Sequence, residues 1–265
     1  MYLLIDAGNT FVKWALVLED SAVAPDGSSW HAAGEIAHEE LGKPDVAATL
    51  LQNLPAAHSL RRIIVSNVAG AVAKERIAAM TRAFRNASVN VEWFASKPYL
   101  AGVTNRYADF SQLGSDRFAS LIGARALFPD ENLLVATCGT ATTIDTLTAD
   151  GVFPGGMILP GLRLMMRSLS DNTAQLPFTE ESLAKAVPAF ATNTADAIGN
   201  GCIAAQAGAI LHVATVHARH LSPLRCLLSG GAAKLVLPHL SIPAQIVDNL
   251  VLVGLHTVAI KKTGT

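Results

Sequence analysis

Short apolar runs alternate with longer amphipathic segments along most of the chain. Apolar runs that end at glycine or polar turns predict β-strands, and apolar residues spaced three and four apart predict helices. Strands are predicted at 2–5, 11–18, 62–67, 89–94, 133–135, 144–147, 224–228 and 245–247, and helices at 71–84, 111–128, 159–170, 194–220 and 250–260. Residues 21–45 predict loops with one edge strand at most. This alternation predicts an α/β fold.

A weak internal repeat divides the chain near its middle. Residues 3–8 and 134–139 align at an offset of 131 positions, and each segment is an apolar strand that runs into a glycine turn. The repeat predicts two related domains, residues 1–125 and 126–265, with a cleft between them. Each domain is expected to open on a glycine hairpin, and half of the chain is an ordinary length for one domain.

Composition excludes several classes of protein. The chain has 265 residues, of which 51% are apolar and 15% charged, so it can bury a sizeable core and is not disordered. Its formal charge of −1 leaves no basic excess for nucleic-acid binding. The three cysteines are far apart and have neither metal-ligand nor disulfide spacing. We therefore expect a protein of a reducing compartment, the cytoplasm.

Two segments have to be tested for a signal peptide or a membrane span. The N-terminal apolar run contains Asp6 and Lys13 and has no basic leader, so it does not predict a signal peptide. Between Asp196 and Arg219, 22 residues carry no formal charge, which is long enough to cross a bilayer. Glycine, histidine, asparagine and glutamine interrupt this segment, so we predict a buried or interface helix and no membrane span.

The first stretch with candidate chemistry is Asp-Ala-Gly-Asn-Thr at residues 6–10. Without a Cβ at Gly8, backbone N–H groups can approach an anion closely. Asp6 can hold Mg²⁺ through water beside phosphate oxygens, and Thr10 and Lys13 can add donors. An ordinary hairpin turn accounts for the same residues. The Walker pattern of P-loop proteins appears nowhere in the chain.

Two further stretches carry polar groups at predicted strand or helix ends. In Gly-Ser-Asp-Arg at 114–117, Asp116 can act as a base and Arg117 as an anion clamp, although a capped helix start with a solvated ion pair explains them equally well. Residues 139–145 and 229–231 combine hydroxyls with small side chains, which suits phosphate and nucleoside contacts or simple β-strand packing. The eight histidines lie outside these stretches, so we assign them to packing or the surface.

In this order and spacing, the three stretches resemble the type III pantothenate kinases, which belong to the superfamily of acetate and sugar kinases, heat-shock ATPases and actin. The resemblance extends over the chain and includes residues 154–156, 160–161 and 193–198. It implies two ribonuclease-H-like, actin-like ATPase domains that flank a nucleotide cleft. It also implies phosphoryl transfer from ATP to pantothenate, the first step toward coenzyme A, in a cytoplasmic homodimer whose pantothenate pocket lies near the subunit interface.

The resemblance assigns roles to individual residues. The first phosphate motif comprises Asp6, Ala7, Gly8, Asn9, Thr10, Phe11, Val12 and Lys13, with Asp6 near Mg²⁺, and Thr140 is the second ATP contact. The pantothenate pocket comprises Tyr107, Gly114, Ser115, Asp116, Arg117 and Thr194, with Asp116 as proton acceptor. Thr137 departs from the family, which usually has at this position an aspartate that ligates a monovalent cation. A requirement for K⁺ or NH₄⁺ therefore stays open.

Two other functions are compatible with the same residues. A relative with weak catalysis could serve as a regulatory or accessory factor, because a nucleotide-binding fold does not guarantee turnover. A kinase or phosphatase of the same fold could also act on a different small hydroxyl substrate. Consumption of ATP that depends on pantothenate separates both from a pantothenate kinase.

Overall fold

The computed structural model describes residues 1–24, 30–41, 43, 46, 52–53, 60–82, 89, 91–173, 176 and 190–261. The chain forms two compact units. The first unit comprises Met1–Pro129, Gly151–Phe153 and Asn249–Thr265, and the second comprises Asp130–Asp150 and Pro154–Asp248. The predicted domains 1–125 and 126–265 are each continuous in sequence. The observed first unit also contains residues 249–265 from the end of the chain.

Thirteen strands and six α-helices lie in the described residues. The strands are β1 (Tyr2–Ala7), β2 (Phe11–Val17), β3 (Trp30–Ala37), β4 (Arg62–Asn67), β5 (Val91–Trp93), β6 (Tyr99–Leu100), β7 (Val103–Asn105), β8 (Asn132–Cys138), β9 (Ala141–Leu147), β10 (Val152–Phe153), β11 (Gly155–Pro160), β12 (Leu224–Ser229) and β13 (Ala244–Ile246). The helices are α1 (Gly70–Arg82), α2 (Ser115–Leu127), α3 (Leu162–Asp171), α4 (Thr194–Ala218), α5 (Ala233–Val236) and α6 (Leu250–Ile260). Short 3₁₀ helices cover Phe110–Gln112 and Leu237–His239.

The two five-stranded sheets have the same topology. The first has the order β3-β2-β1-β4-β5 and the second the order β11-β9-β8-β12-β13. In each, the first three strands are antiparallel and the last two run parallel to the central strand. The α/β class and the predicted internal repeat are therefore confirmed. The edge strand expected within residues 21–45 is β3.

Apolar side chains of β1 alternate between the two faces of the first sheet and cover both. Leu3 and Ile5 pack on one face in a cluster with Ile77 of α1, whereas Leu4 packs on the other face with Leu252 of α6. Successive side chains of a strand point to opposite faces, so an unbroken apolar run predicts a strand that is buried on both sides.

Helices α2 and α6 touch backbone to backbone in the first unit. A Cβ built at Gly254 would lie 1.9 Å from the carbonyl oxygen of Ala119, and one built at Gly123 would lie 2.5 Å from that of Leu250. Side chains at these two positions would force the helices apart. The glycines therefore set the position of α2, whose first turn carries Asp116.

In the second unit, α3 and α4 cover one face of the sheet. Met166 of α3 and Ile203 of α4 share a core cluster with Leu134 of β8. By length and composition α4 could cross a membrane, but half of its most apolar window is buried inside the structure. Core helices of soluble proteins pass the same test, so α4 is weak evidence for a membrane span. Its partial burial agrees with the predicted buried or interface helix.

One predicted helix begins too early. The helix expected from residue 159 starts at Leu162, and residues 155–160 instead form β11, which pairs with β9. Gly161 precedes the helix as its N-cap. A Cβ at Gly161 would lie 2.1 Å from the carbonyl oxygen of Gly139, so the chain passes close to the hairpin turn at this point. The short strands β6, β7 and β10 form a further sheet that the sequence pattern did not predict.

Candidate active site

Three polar side chains share one face at the ends of the central strands of the first sheet. Asp6 of β1 pairs with Lys13 of β2 on one side and with Ser66 of β4 on the other. Directly paired residues of neighbouring strands project to the same face. The Ser66 hydroxyl is buried and lies 2.9 Å from the hydroxyl of Ser115, the first residue of α2. The end of the sheet therefore meets the start of α2.

Asp6 is the carboxylate of this face, and its pKa is strongly shifted. Its Oδ1 is enclosed and has no hydrogen-bond partner in the described residues. Burial, and secondly the negative charge of Asp116, raise the pKa of Asp6 from 3.8 to about 7, while the nearby Lys13 opposes the rise. A carboxylate in this setting is stabilised by an incoming proton or cation.

The hairpin turn after Asp6 is held at two points. The Lys13 ammonium donates to Oδ1 of Asn249 at 3.0 Å, and Asn249 has a left-handed backbone (φ 55°) at the start of α6. The ring nitrogen Nε2 of His38 lies 2.6 Å from the carbonyl oxygen of Gly8. Asn9, Thr10 and Phe11 are exposed. The turn can therefore offer its donors to a ligand.

Asp116 lies in the first turn of α2, directly after Ser115. Its Oδ1 accepts the backbone N–H of Arg117 at 2.8 Å. A Cβ at Gly114, the N-cap residue, would lie 2.6 Å from the same oxygen, so this rotamer requires a glycine there. Burial raises the pKa of Asp116, against the opposing effect of the Arg117 N–H and its charge. The ionised carboxylate is therefore a stronger base than a free aspartate.

Arg117 is buried, not solvated, with 6% of its surface exposed. Its Nη1 donates to the Tyr107 hydroxyl at 3.0 Å, and its guanidinium carbon lies 5.7 Å from the Tyr107 ring centre and 5.9 Å from that of Phe153. The two rings are themselves 5.4 Å apart. A fixed guanidinium beside two aromatic rings suits an anionic group. Because Arg117 is buried, the solvated ion pair considered from the sequence does not describe this helix start.

The predicted residues of the second unit lie on a separate set of elements. Thr140 is exposed in the β8–β9 hairpin, and Thr194 is the exposed first residue of α4. Thr137 pairs with Thr143 on one side and with Ser229 on the other. The Thr143 hydroxyl is enclosed and unpartnered within the part of the chain that the structure describes. A row of hydroxyls therefore crosses three strands at the Thr137 position.

Four residues near the predicted site are not predicted by the sequence. They are His38, Ser66, Phe153 and Asn249. None lies in a recognisable motif, and each reaches the site from a different element. Only the Ser at the end of an apolar strand, Ser66, gave a signal that could have been used, because polar residues at strand ends line sites in α/β folds.

The available ligand side chains limit how a metal could bind. Among the described residues, no group of three or more His, Cys, Asp or Glu side chains is placed to hold a metal ion. Asp6 instead offers a carboxylate whose Oδ1 has no partner within the described part of the chain. Mg²⁺ keeps several waters and commonly uses one or two carboxylates together with substrate phosphates, so the residues fit Mg²⁺ better than a metal that needs a full protein cage.

The duplicated five-stranded sheets define the actin-like fold, which solved structures share. A candidate 2-dehydro-3-deoxygalactonokinase from Sinorhizobium meliloti has a TM-score of 0.55 at 18% identity and covers 98% of this chain and 95% of its own. A candidate transcriptional activator of the Baf family from Campylobacter jejuni also has a TM-score of 0.55 at 18% identity, with coverage of 97% and 96%. At this identity the likeness shows the fold.

The sequence comparisons are more specific than the fold. The family model for type III pantothenate kinase matches residues 2–216. The type III pantothenate kinase of Herminiimonas arsenicoxydans is 52% identical over 264 residues, which are 98% of each chain. The chain therefore belongs to the type III pantothenate kinase family, and the resemblance drawn from its motifs is confirmed.

Proposed function

We propose that this chain transfers the γ-phosphoryl group of ATP to the primary hydroxyl of pantothenate, forming 4′-phosphopantothenate in the first step of coenzyme A biosynthesis. Family membership over nearly the whole chain supports this activity. The observation that carries it is the placement of two carboxylates: the charge of Asp116 helps burial to raise the pKa of Asp6, and Asp116 is followed in α2 by the buried Arg117. One carboxylate can serve the nucleotide and the other the hydroxyl.

A coupled assay of ADP formation tests the activity. We expect ADP to form only when pantothenate is present, and we expect other small alcohols and sugars to replace it poorly. ADP formation that does not depend on pantothenate, or equal turnover of a sugar, would favour another kinase of this fold. Absence of turnover with intact ATP binding would favour an accessory role.

Asp116 is assigned as the proton acceptor. The hydroxyl oxygen of pantothenate attacks the γ-phosphorus while its proton passes to the Asp116 carboxylate. The bond from the γ-phosphorus to the bridging oxygen breaks, and ADP leaves with that electron pair. Phosphoryl transfer needs positioning and charge stabilisation more than covalent work by the protein. The raised pKa of Asp116 supports the role, because a proton acceptor works best when its pKa approaches the working pH.

The hairpin turn is assigned to the phosphates of ATP. Backbone N–H groups of residues 8–10, the Thr10 hydroxyl and the Lys13 ammonium can donate to phosphate oxygens. Asn249 supports this assignment, because its hydrogen bond holds Lys13 next to Asp6. Thr140, in the equivalent hairpin of the second unit, is the proposed second ATP contact, and Thr194 is proposed to line the pantothenate pocket.

Asp6 is the residue that would hold Mg²⁺, through water. Its enclosed, unpartnered oxygen and raised pKa fit a group that needs a counter-charge. When bound, Mg²⁺ neutralises negative charge on the phosphate oxygens. The charge of Lys13 lowers the pKa of Asp6, which helps to keep the carboxylate ionised for this purpose.

Replacing Arg117 with alanine is expected to raise the KM for pantothenate about tenfold to a hundredfold, or ~1.5–3 kcal/mol, the range for a hydrogen bond to a charged group. Pantothenate carries a carboxylate, and Arg117 is fixed beside Tyr107 to receive it. Steady-state kinetics with each substrate varied measures this, with Arg125→Ala on the same helix as the control. An unchanged KM for pantothenate, or an equal rise in the KM for ATP, would contradict the assignment.

Thr137 leads to a prediction about monovalent cations. Because a hydroxyl replaces the carboxylate that is usual in the family, we expect only weak activation of this chain by K⁺ or NH₄⁺ relative to Na⁺. Thr137→Asp restores the negative charge and is expected to increase the activation. Initial rates across the three cations, for both proteins, measure it. Strong K⁺ activation of the unmodified chain would show that hydroxyl and carbonyl oxygens suffice.

A cytoplasmic homodimer is the proposed form of the protein. The partly exposed apolar helix α4 supports a subunit interface, because an apolar surface of this length is costly to leave in water. Light scattering coupled to size-exclusion chromatography tests it. A mass near twice 27.7 kDa is expected, and a mass of one chain at assay concentration would refute it.

A further inference from the structure

His38 makes a contact that the catalytic assignments do not use. It follows β3 and places its Nε2 2.6 Å from the carbonyl oxygen of Gly8, between β1 and β2. A carbonyl oxygen only accepts hydrogen bonds, so Nε2 carries the proton and donates. From the sequence, every histidine is expected to serve packing or to lie on the surface. This one instead holds the backbone of the first phosphate motif.

The backbone of His38 is itself anchored. Its carbonyl oxygen accepts a hydrogen bond from Nη1 of Arg76 in α1 at 2.9 Å. The preceding residue, Ala37, pairs with Phe11 at the start of β2, and its carbonyl accepts the N–H of Glu40 at 2.9 Å. The main chain is therefore fixed at His38 and just before it, and His38 can impose a position on Gly8.

Holding the Gly8 carbonyl also orients the next amide. The peptide unit between Gly8 and Asn9 is planar and trans, so the carbonyl oxygen and the Asn9 N–H point in opposite directions. Gly8 adds no Cβ that would restrict the approach of an anion. With the oxygen bound to His38, the Asn9 N–H is directed away from His38, and Asn9 is an exposed residue.

We propose that His38 is a positioning residue for nucleotide phosphate: by binding the Gly8 carbonyl, it orients the Asn9 amide to donate to a phosphate oxygen of ATP. The inference rests on the proposed phosphate role of the turn, and it assigns His38 no contact with substrate. Its effect is on the phosphate part of the nucleotide, because the bond acts on one donor of the turn. A merely structural bond would affect stability without distinguishing phosphate from nucleoside.

Two substitutions distinguish the effect of the hydrogen-bond donor from the effect of the aromatic ring. His38→Gln places an amide N–H near the position of Nε2, whereas His38→Phe keeps an aromatic ring and removes the donor. His31→Phe is the matched control, since His31 is an exposed histidine of β3 in the same segment. Calorimetry of the full chain measures the Kd for ATP, and competition against ATP measures the affinity for adenosine. Thermal unfolding is followed for each variant.

We expect His38→Phe to weaken ATP binding about threefold to tenfold, the effect of one hydrogen bond. Adenosine affinity and the KM for pantothenate are expected to stay within about twofold, and His38→Gln is expected to restore ATP binding. Arg76→Leu releases the backbone of His38 and is expected to weaken ATP binding in the same direction, which provides a test that leaves His38 in place.

Equal losses for ATP and adenosine would overturn the proposal, as would unchanged ATP binding in both His38→Phe and Arg76→Leu. A His38→Gln variant that binds ATP as poorly as His38→Phe would also overturn it. These outcomes are independent of the phosphoryl acceptor, because nucleotide binding is measured without pantothenate. Failure of the unmodified chain to use pantothenate would instead count against the proposed function.

Discussion

Replacing Asp116 with asparagine is expected to lower kcat by about 10²–10⁴-fold, the usual contribution of a general base. Asparagine has nearly the same shape and keeps an oxygen that can accept the Arg117 N–H, but it cannot take the proton of the pantothenate hydroxyl. The Kd for ATP is expected to stay within a few-fold, because the phosphate turn is unchanged. Single-turnover rates and calorimetry measure the two quantities.

The pH profile provides a second readout for Asp116. Burial raises its pKa, so the activity of the unmodified enzyme is expected to fall on the acid side as this carboxylate becomes protonated. The asparagine variant is expected to lack that acid limb. Asp20→Asn, the same change at an exposed position of the first unit, serves as the control and is expected to retain full activity. Full turnover by a folded Asp116→Asn enzyme would remove Asp116 from the reaction.

Replacing Asp6 with asparagine is expected to lower kcat/KM for ATP by at least about 10²-fold. The change keeps the size of the side chain and removes the charge that would hold Mg²⁺ beside the phosphates, and a metal ion contributes several kcal/mol of charge stabilisation in such reactions. Titration of Mg²⁺ at fixed ATP is expected to show a higher metal requirement in the variant. An unchanged Mg²⁺ dependence would contradict the assigned role.

The same substitution is expected to stabilise the ligand-free fold at alkaline pH. The pKa of Asp6 is about 7 in the folded chain and 3.8 for a free aspartate, so ionisation is favoured in the unfolded state. The folded protein therefore loses stability as pH rises from about 4 through 7, and the loss levels off above 7 at up to about 4 kcal/mol. The neutral amide of the Asp6→Asn variant does not ionise and carries no such cost.

Urea unfolding in the presence of a chelator measures this effect. The Asp6→Asn variant is expected to exceed the parent in free energy of unfolding by more at pH 8 than at pH 5. A difference that does not change between these pH values would mean that Asp6 is as well solvated in the fold as in the unfolded chain. Lower activity together with higher stability would identify Asp6 as a residue kept for function at a cost to the fold.

Local patterns in the sequence predicted much of the fold. Apolar runs such as residues 62–67 match a strand in full, and the predicted helix at 250–260 has the observed bounds. Boundaries were less accurate where a strand and a helix adjoin: the helix predicted from residue 159 included the last two residues of β11 and the N-cap Gly161. The short strands of the third sheet have too few residues to show a period.

The candidate site was only partly predictable. Asp6, Asp116 and Arg117 belong to compact motifs, and their residue types already suit phosphate, proton and anion chemistry. The supporting residues do not. Lys13 meets Asn249 across 236 positions of sequence, and His38 meets Gly8 across 30. No local pattern connects such pairs, so they are known only when the chain is folded.

The order of the longer strands and helices, the internal repeat and the family could be read from the amino-acid sequence, because hydrophobic periodicity and turn chemistry depend on neighbouring residues. Three features of the site required the folded chain: α6 packs on α2 through Gly254, Asp6 is enclosed enough to raise its pKa to about 7, and Arg117 lies buried beside two rings. Solvation and charge at a side chain depend on every group packed around it, and those groups come from distant parts of the chain.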